Sequence, residues 1–195
     1  MSNLQFFDMA SLPATPWKNG GGSTIEIVCQ PPGAGMDAFD WRVSIATIAT
    51  AGPFSSFPGV DRAILLLAGA GVRLQAAGID HRLDAPLTPF FFAGDVAVDC
   101  APLGGASTDF NVMTRRGHCS AEVLVLRGAD TLAPSAAGLV MAVGGAWQLE
   151  TGGLSRRIAE GSGAWWNGAV RGARLTPLAA GAALIAVRIA PEVNR

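Results

Sequence analysis

Ile64-Leu-Leu-Leu-Ala-Gly-Ala-Gly-Val-Arg-Leu-Gln75 overlies Leu139-Val-Met-Ala-Val-Gly-Gly-Ala-Trp-Gln-Leu-Glu150, and this overlay decides the fold. Each stretch reads as an apolar strand, a glycine turn and a second strand. The offset of 75 residues carries onward without a gap. It sets Arg82 over Arg157, Phe90-Phe91 over Trp165-Trp166, Pro102-Leu103 over Pro177-Leu178, and Phe110-Asn-Val112 over Ile185-Ala-Val187. Few positions are identical. What stays in register is the hydrophobic pattern and the turn glycines, Gly69 with Gly144 and Gly78 with Gly153. A gapless match implies the same hairpins with the same loop lengths, hence two similar β-units in tandem.

Elsewhere 25 glycines and 12 prolines cut the chain into short segments. Thr24–Cys29 alternates, with Ile25, Ile27 and Cys29 on one face and Thr24, Glu26 and Val28 on the other. Phe39–Ile48 sets Phe39, Trp41, Val43 and Ile45 against Asp40, Arg42, Ser44 and Ala46. Further strands are expected at 63–67, 72–76, 89–92, 95–99, 109–114, 122–127, 139–143, 146–150, 164–166 and 184–189, with no amphipathic helix longer than three turns. Many short, evenly spaced strands describe a sandwich or barrel. The expectation is an all-β chain of two tandem barrel or jelly-roll-like units packed into one compact body. The division falls at 1–118 and 119–195, and exchange of strands between the units is left open.

Composition bounds the rest. Half of the 195 residues are apolar and only 15% are charged, against roughly 25% in a typical domain, which argues for a well-packed body and against disorder. The longest apolar run, around Ile64–Gly71, is strand-sized and far short of the ~20 residues of a membrane span. Met1–Ala10 carries Asp8 and no basic residue, so it does not read as a secretory signal. Cys29, Cys100 and Cys119 are widely spaced and form no CxxC, which fits unpaired thiols in a reducing cytoplasm. The net charge of −1 is scattered, giving no footprint for nucleic acid. A homodimer through exposed strand edges is left open.

Catalytic constellations are sparse. His81 and His118 are the two histidines, and neither has a second one at ligand spacing, so no metal and no cofactor is expected. Gly20-Gly-Gly22 precedes a strand rather than a helix, which argues for a tight turn and against a phosphate cradle. No Gly-x-Ser-x-Gly or triad pattern occurs. Trp17-Lys18-Asn19, an aromatic, a cation and an amide on one loop, is more pointed. So is Arg42, whose face carries the small neighbours Ser44 and Ala46. Small residues beside a guanidinium suggest a lined cavity able to hold a carboxylate bidentately. The alternatives are a surface arginine or one paired with Glu26 or Asp40. Arg62, entering the most apolar strand, points either into a barrel mouth or caps the strand with Asp61. Asn111 shares a face with Asp109 and Met113, and inside a barrel it would need partners that a ligand could supply.

Trp17-Lys-Asn-Gly20 with Thr24 and Glu26-Ile27, Trp41-Arg42 with Ser44-Ile-Ala46, and Phe54-Ser55 with Phe57-Pro-Gly59 and Asp61-Arg62 resemble the HutD/Ves family. Asp109-Phe-Asn-Val-Met-Thr-Arg115 and Gly145-Ala-Trp-Gln-Leu149 extend the resemblance over nearly the whole chain. It implies a bicupin lacking the histidines that bind metal in cupin enzymes. It further implies a restraint on histidine utilisation, through binding without turnover of a pathway acid such as urocanate or N-formylglutamate. The other branch, Ves, is associated with cold and stress response. The ligand site expected on these grounds comprises Arg62, Arg42, Trp17, Asn19, Lys18, Trp41, Ser44 and Asn111, around a small carboxylate partner, and no catalytic residue is assigned. One competing reading is a metal-independent cupin enzyme, an isomerase or epimerase acting on a small acid or sugar with Glu26 or a histidine at the barrel mouth. The other is a protein-interaction module whose cavity is packed core.

Overall fold

The computed structural model describes residues 4–168 and 172–192. Apart from one 3-10 turn at Met9–Ser11, the described elements are all β-strands. No helix among the described residues is long and apolar enough to cross a membrane. These residues divide into a first unit, 13–120 with Glu192, and a second unit, 4–12 with 121–191.

In the first unit a six-stranded sheet runs β2 (Ala14–Pro16), β3 (Gly22–Gln30), β4 (Trp41–Ile48), β11 (Ser107–Arg115), β6 (Val60–Ala68), β9 (Phe90–Ala93). A four-stranded sheet runs β5 (Gly52–Pro53), β10 (Asp99–Pro102), β7 (Val72–Ala76), β8 (Ile79–Leu83). In the second unit the larger sheet is β1 (Leu4–Asp8), β17 (Ser162–Asn167), β14 (Ala137–Gly144), β19 (Ala183–Pro191), β12 (Cys119–Leu126). Its smaller sheet is β13 (Asp130–Leu132), β18 (Ala173–Pro177), β15 (Trp147–Thr151), β16 (Leu154–Ile158). The order β4-β11-β6-β9 is repeated as β12-β19-β14-β17, and β5-β10-β7-β8 as β13-β18-β15-β16. Strand β1, on the N-terminal side of the division expected at 118/119, pairs with β17 as an edge of the second unit.

Alternation fills each interior. In β7, Val72 and Leu74 are buried while Arg73 and Gln75 face out, and these two apolar chains join Ile48, Ile64, Leu66 and Phe92 of the larger sheet. The equivalents in the second unit are Trp147 and Leu149 against Val140, Ala142, Trp166 and Leu184. Full burial of one such side chain contributes about 1.5–3 kcal/mol, so the two interiors dominate the stability of their units.

The gapless overlay needs correction in two strands. Ile64, Leu66, Phe90 and Phe92 belong to the first interior cluster, whereas Val140, Ala142, Ala164 and Trp166 belong to the second. Ile64 is therefore equivalent to Val140 rather than Leu139, and Phe92 to Trp166 rather than residue 167. The turns agree with the slip: the first glycine after the strand, Gly69 (φ 92°), matches the left-handed Gly145 (φ 66°) rather than Gly144. The ladder irregularities also coincide, skipping Leu67 in β6 and Val143 in β14. A one-residue slip exchanges the faces of a strand. The sequence hid it because both faces of β6 and β14 are apolar and buried.

Several strands escape the period-2 reading. Ile79–Leu83 and Leu154–Ile158 are sheet edges whose Asp80, Arg82, Ser155, Arg156 and Arg157 face solvent or lie partly exposed. The segment expected at 95–99 is a turn followed by irregular backbone, and its strand begins at Asp99.

Candidate functional site

The inner face of the six-stranded sheet is laid out in rows across the strands. One row reads Cys29, Arg42, Met113, Arg62, Phe92 from β3 to β9. The next reads Glu26, Ser44, Asn111, Ile64, Phe90, and the third Thr24, Ala46, Asp109, Leu66. Cys29 stands beside Arg42, not on the apolar face expected for it, because the ladder is irregular between Glu26 and Val28 and alternation restarts after Ile27. Arg42, Ser44, Arg62, Asp109 and Asn111 are all buried.

The two arginines differ in what satisfies them. Arg42 Nε donates to Glu26 Oε2 at 2.7 Å and Nη1 donates to Ser44 Oγ at 3.1 Å. The pairing with Glu26 that the sequence left open is thus the one formed. Arg62 has no ion pair among the described residues, and its buried Nε has no hydrogen-bond partner. Three phenyl rings surround its guanidinium, Phe92 at 4.9 Å, Phe54 at 5.1 Å and Phe57 at 5.6 Å from their centroids. Ring faces attract a cation, but they do not replace water at its N–H groups. Burial pulls the Arg62 pKa down to about 10, with the charge of Asp109 working against that shift.

Asp109 is the counter-charge that Arg62 senses without touching. Burial pushes its carboxyl up to about 7, and the arginine only partly reverses this. Asp109 Oδ1 and Asn111 Oδ1 are both buried without a partner. Cys100, on the smaller sheet, is influenced by both Asp109 and Arg62, which places all three around one interior. One row beside the next, the sheet thus presents an unused cationic donor and two unused acceptors. Buried polar atoms in native folds are nearly always satisfied, so such a group calls for an occupant.

The remaining expected residues divide. Trp17 is partly buried against the first core, and its indole N–H donates to Thr24 Oγ1 at 2.8 Å, in the Asp109 row. Asn19 holds its own turn, Oδ1 accepting from Gly21 N at 3.0 Å. Lys18 is exposed. Trp41 is buried on the opposite face of β4, one residue from Arg42, and so does not line this interior. Four participants were not foreseen as site residues. Asp109 was legible from its alternation with Asn111. The fence of Phe54, Phe57 and Phe92 carried no periodic signal, since two of its rings lie outside long strands.

Cupin folds often carry a metal, and the residues present do not suit one. Among the described residues no group of three His, Cys, Asp or Glu side chains could hold an ion. His81 stacks on Phe90 with centroids 3.8 Å apart, and His118 pairs with Asp40 at an exposed position 2.6 Å away.

The second unit lacks this cluster. By the corrected equivalence Gly138 stands for Arg62, Leu184 for Asp109 and Ala186 for Asn111. A side chain at Gly138 would meet the Trp166 ring within 2.5 Å, so the indole fills the space that Arg62 occupies in the first unit. The cavity found in this unit, about 20 Å³ beside Leu132, Leu149 and Trp166, is apolar and includes no expected site residue.

Fold and site together define a bicupin with one polar interior built from arginine, aspartate and asparagine. Against known solved folds, a cupin 2 barrel protein from Leptotrichia buccalis is similar in fold alone, with 8% identity and a TM-score of 0.62. The family model described as HutD matches residues 9–185, and the chain belongs to the HutD family. The protein Ves of Cronobacter sakazakii is 39% identical over 84% of this chain and 87% of its own. HutD of Pseudomonas fluorescens SBW25, in a structure from a formate condition, is 29% identical with a TM-score of 0.83, covering 97% of this chain and all of that one. A conserved protein of unknown function from Pseudomonas aeruginosa PAO1 gives 32% identity and a TM-score of 0.87 over the same shares.

Proposed function

We propose that the chain is a cytoplasmic regulatory protein of histidine utilisation that binds a small carboxylate in the first unit, without turnover. Urocanate and N-formylglutamate are the leading ligands. The observation that carries the reading is Arg62, buried, ringed by three phenyl groups and left with an unpartnered Nε. A buried charge without a partner is costly, and a carboxylate meets a guanidinium fork with two parallel hydrogen bonds. Glu26 already balances Arg42, so Arg62 is the anchor and Arg42 with Ser44 shapes the wall. Family membership supports the link to histidine utilisation, and Trp17 beside Thr24 is suited to close the site.

Thermal shift and calorimetry with urocanate, N-formylglutamate and glutamate test this. Ligand at 100 times Kd stabilises a fold by about 2.7 kcal/mol, which a melting curve resolves easily. The Arg62→Ala variant should lose the response. No stabilisation by any of the three acids, or a response that survives in Arg62→Ala, would sink the proposal.

A further inference from the structure

Strand β9 closes one side of the six-stranded sheet, and among the described residues no strand pairs with its outer edge. An open edge is a row of unused N–H and C=O groups, which folds commonly blunt with a charge or a proline. The other edge strands follow that rule. β1, β8, β12, β13 and β16 carry Asp8, Asp80, Glu122, Asp130 and Arg156, while β2 and β5 end in Pro16 and Pro53. β9, Phe90-Phe-Phe-Ala93, has neither, and no charged residue occurs from Ala85 to Gly94. Within it Phe91 is 58% exposed.

The second unit shows what this edge accepts. Its equivalent strand is β17, with Trp165 in the place of Phe91, and β1 lies along it as an antiparallel strand. The inner pairings coincide: Gly94 N donates to Val60 O and Gly168 N to Ala136 O, each at 2.7 Å. In an antiparallel ladder successive residues bond alternately to one side and the other. From those bonds, Phe92 and Trp166 bond inward, while Phe91 and Trp165 turn N–H and C=O outward. Trp165 meets Gln5 of β1. Phe91 meets no strand among the described residues.

The groups left open on β9 complement themselves. Ala93 also faces outward, but its carbonyl already accepts from Val96 N at 3.3 Å. Pro89, the outward position at the other end, has a carbonyl and no N–H. What remains is the N–H and C=O of Phe91, the N–H of Ala93 and the C=O of Pro89. A second β9, turned about a two-fold axis at Phe91, matches all of them. Each Phe91 N–H reaches the other Phe91 carbonyl, and each Ala93 N–H reaches the other Pro89 carbonyl. The carbonyl already in use falls opposite the residue that has no N–H. The two Phe91 rings then stand side by side across the axis, each covering the other.

We propose that the chain forms a two-fold dimer by antiparallel pairing of β9 with β9 of a second copy, centred on Phe91. The interface is isologous, so one edge supplies both halves and the assembly closes at two chains.

Sedimentation velocity on the full chain over a dilution series tests it. The wild type should pass from dimer to monomer as it is diluted. Phe91→Lys and Phe91→Glu alter an exposed side chain, and circular dichroism should find both folded. Each should raise the dissociation constant at least about ten-fold, because like charges meet directly across the axis. Mixed in equal amounts, they should recover the dimer to within about three-fold of wild type, since each charge then faces its opposite. A wild type that stays monomeric at millimolar concentration overturns the proposal and leaves the edge to a strand of a different protein. So does a dimer that tolerates both charges, or a mixture that stays monomeric.

Discussion

Replacing Asp109 by Asn should flatten the pH dependence of stability in a defined window. The carboxyl sits near 7 in the fold, against about 3.9 in an unfolded chain. The difference of about 3 units, at about 1.36 kcal/mol each, amounts to about 4 kcal/mol. Below pH ~4 both states hold the proton and the group is neutral to stability. Between pH ~4 and ~7 the unfolded chain releases its proton while the fold keeps it. Stability therefore declines as pH rises, by about 1.4 kcal/mol per unit, and the loss is complete above the folded value. The neighbours do not titrate there: Cys100 is pushed up to about 12 and Arg62 stays charged. Urea unfolding of wild type and variant at pH 4, 5, 6, 7 and 8 gives the difference curve, in which every other titration cancels. The variant should gain on the wild type by about 4 kcal/mol from pH 4 to pH 8. A difference that stays constant within about 0.5 kcal/mol would refute a buried Asp109.

Glu26→Gln should tighten carboxylate binding several-fold by releasing Arg42, whose Nε it now occupies; calorimetry with urocanate reads this directly. Trp166→Ala, which empties the space over Gly138, should cost about 3–5 kcal/mol in urea unfolding and leave acid affinity unchanged. Gly69→Ala places a Cβ within 2.6 Å of Ala106 O at a φ of 92°, and should lower the unfolding free energy by about 1–3 kcal/mol. Arg62→Lys should recover only part of the response lost in Arg62→Ala, because a point charge does not reproduce the fork.

How far the sequence reached depended on whether each strand has one buried face or two. β4 has contrasting faces, Trp41, Val43 and Ile45 against Arg42, Ser44 and Ala46, and its alternation placed Arg42 correctly. β6 and β14 are apolar on both sides, so a period of two leaves their facing undetermined, and the repeat was read one residue out of step there. The only cue was that Gly69 corresponds to Gly145 in backbone conformation. An irregular ladder is equally silent: nothing in Thr24–Cys29 announces that pairing skips Ile27 and turns Cys29 toward Arg42. Arg62 and Asn111 could be proposed because polar residues stand out in apolar strands. The aromatic fence could not, because Phe54 and Phe57 reach the guanidinium from connecting segments.

Trp17 also makes the protein its own optical probe. The chain has no tyrosine, so its emission comes entirely from five tryptophans. Trp147, Trp165 and Trp166 lie in the second unit, and Trp41 is on the reverse side of β4. Trp17 alone is bonded into the row that carries Asp109, through Thr24. Under the proposed carboxylate reading, an acid entering that interior would change the polarity around one indole against four others. Occupancy can thus be followed by intrinsic fluorescence, in dilute solution and without a label.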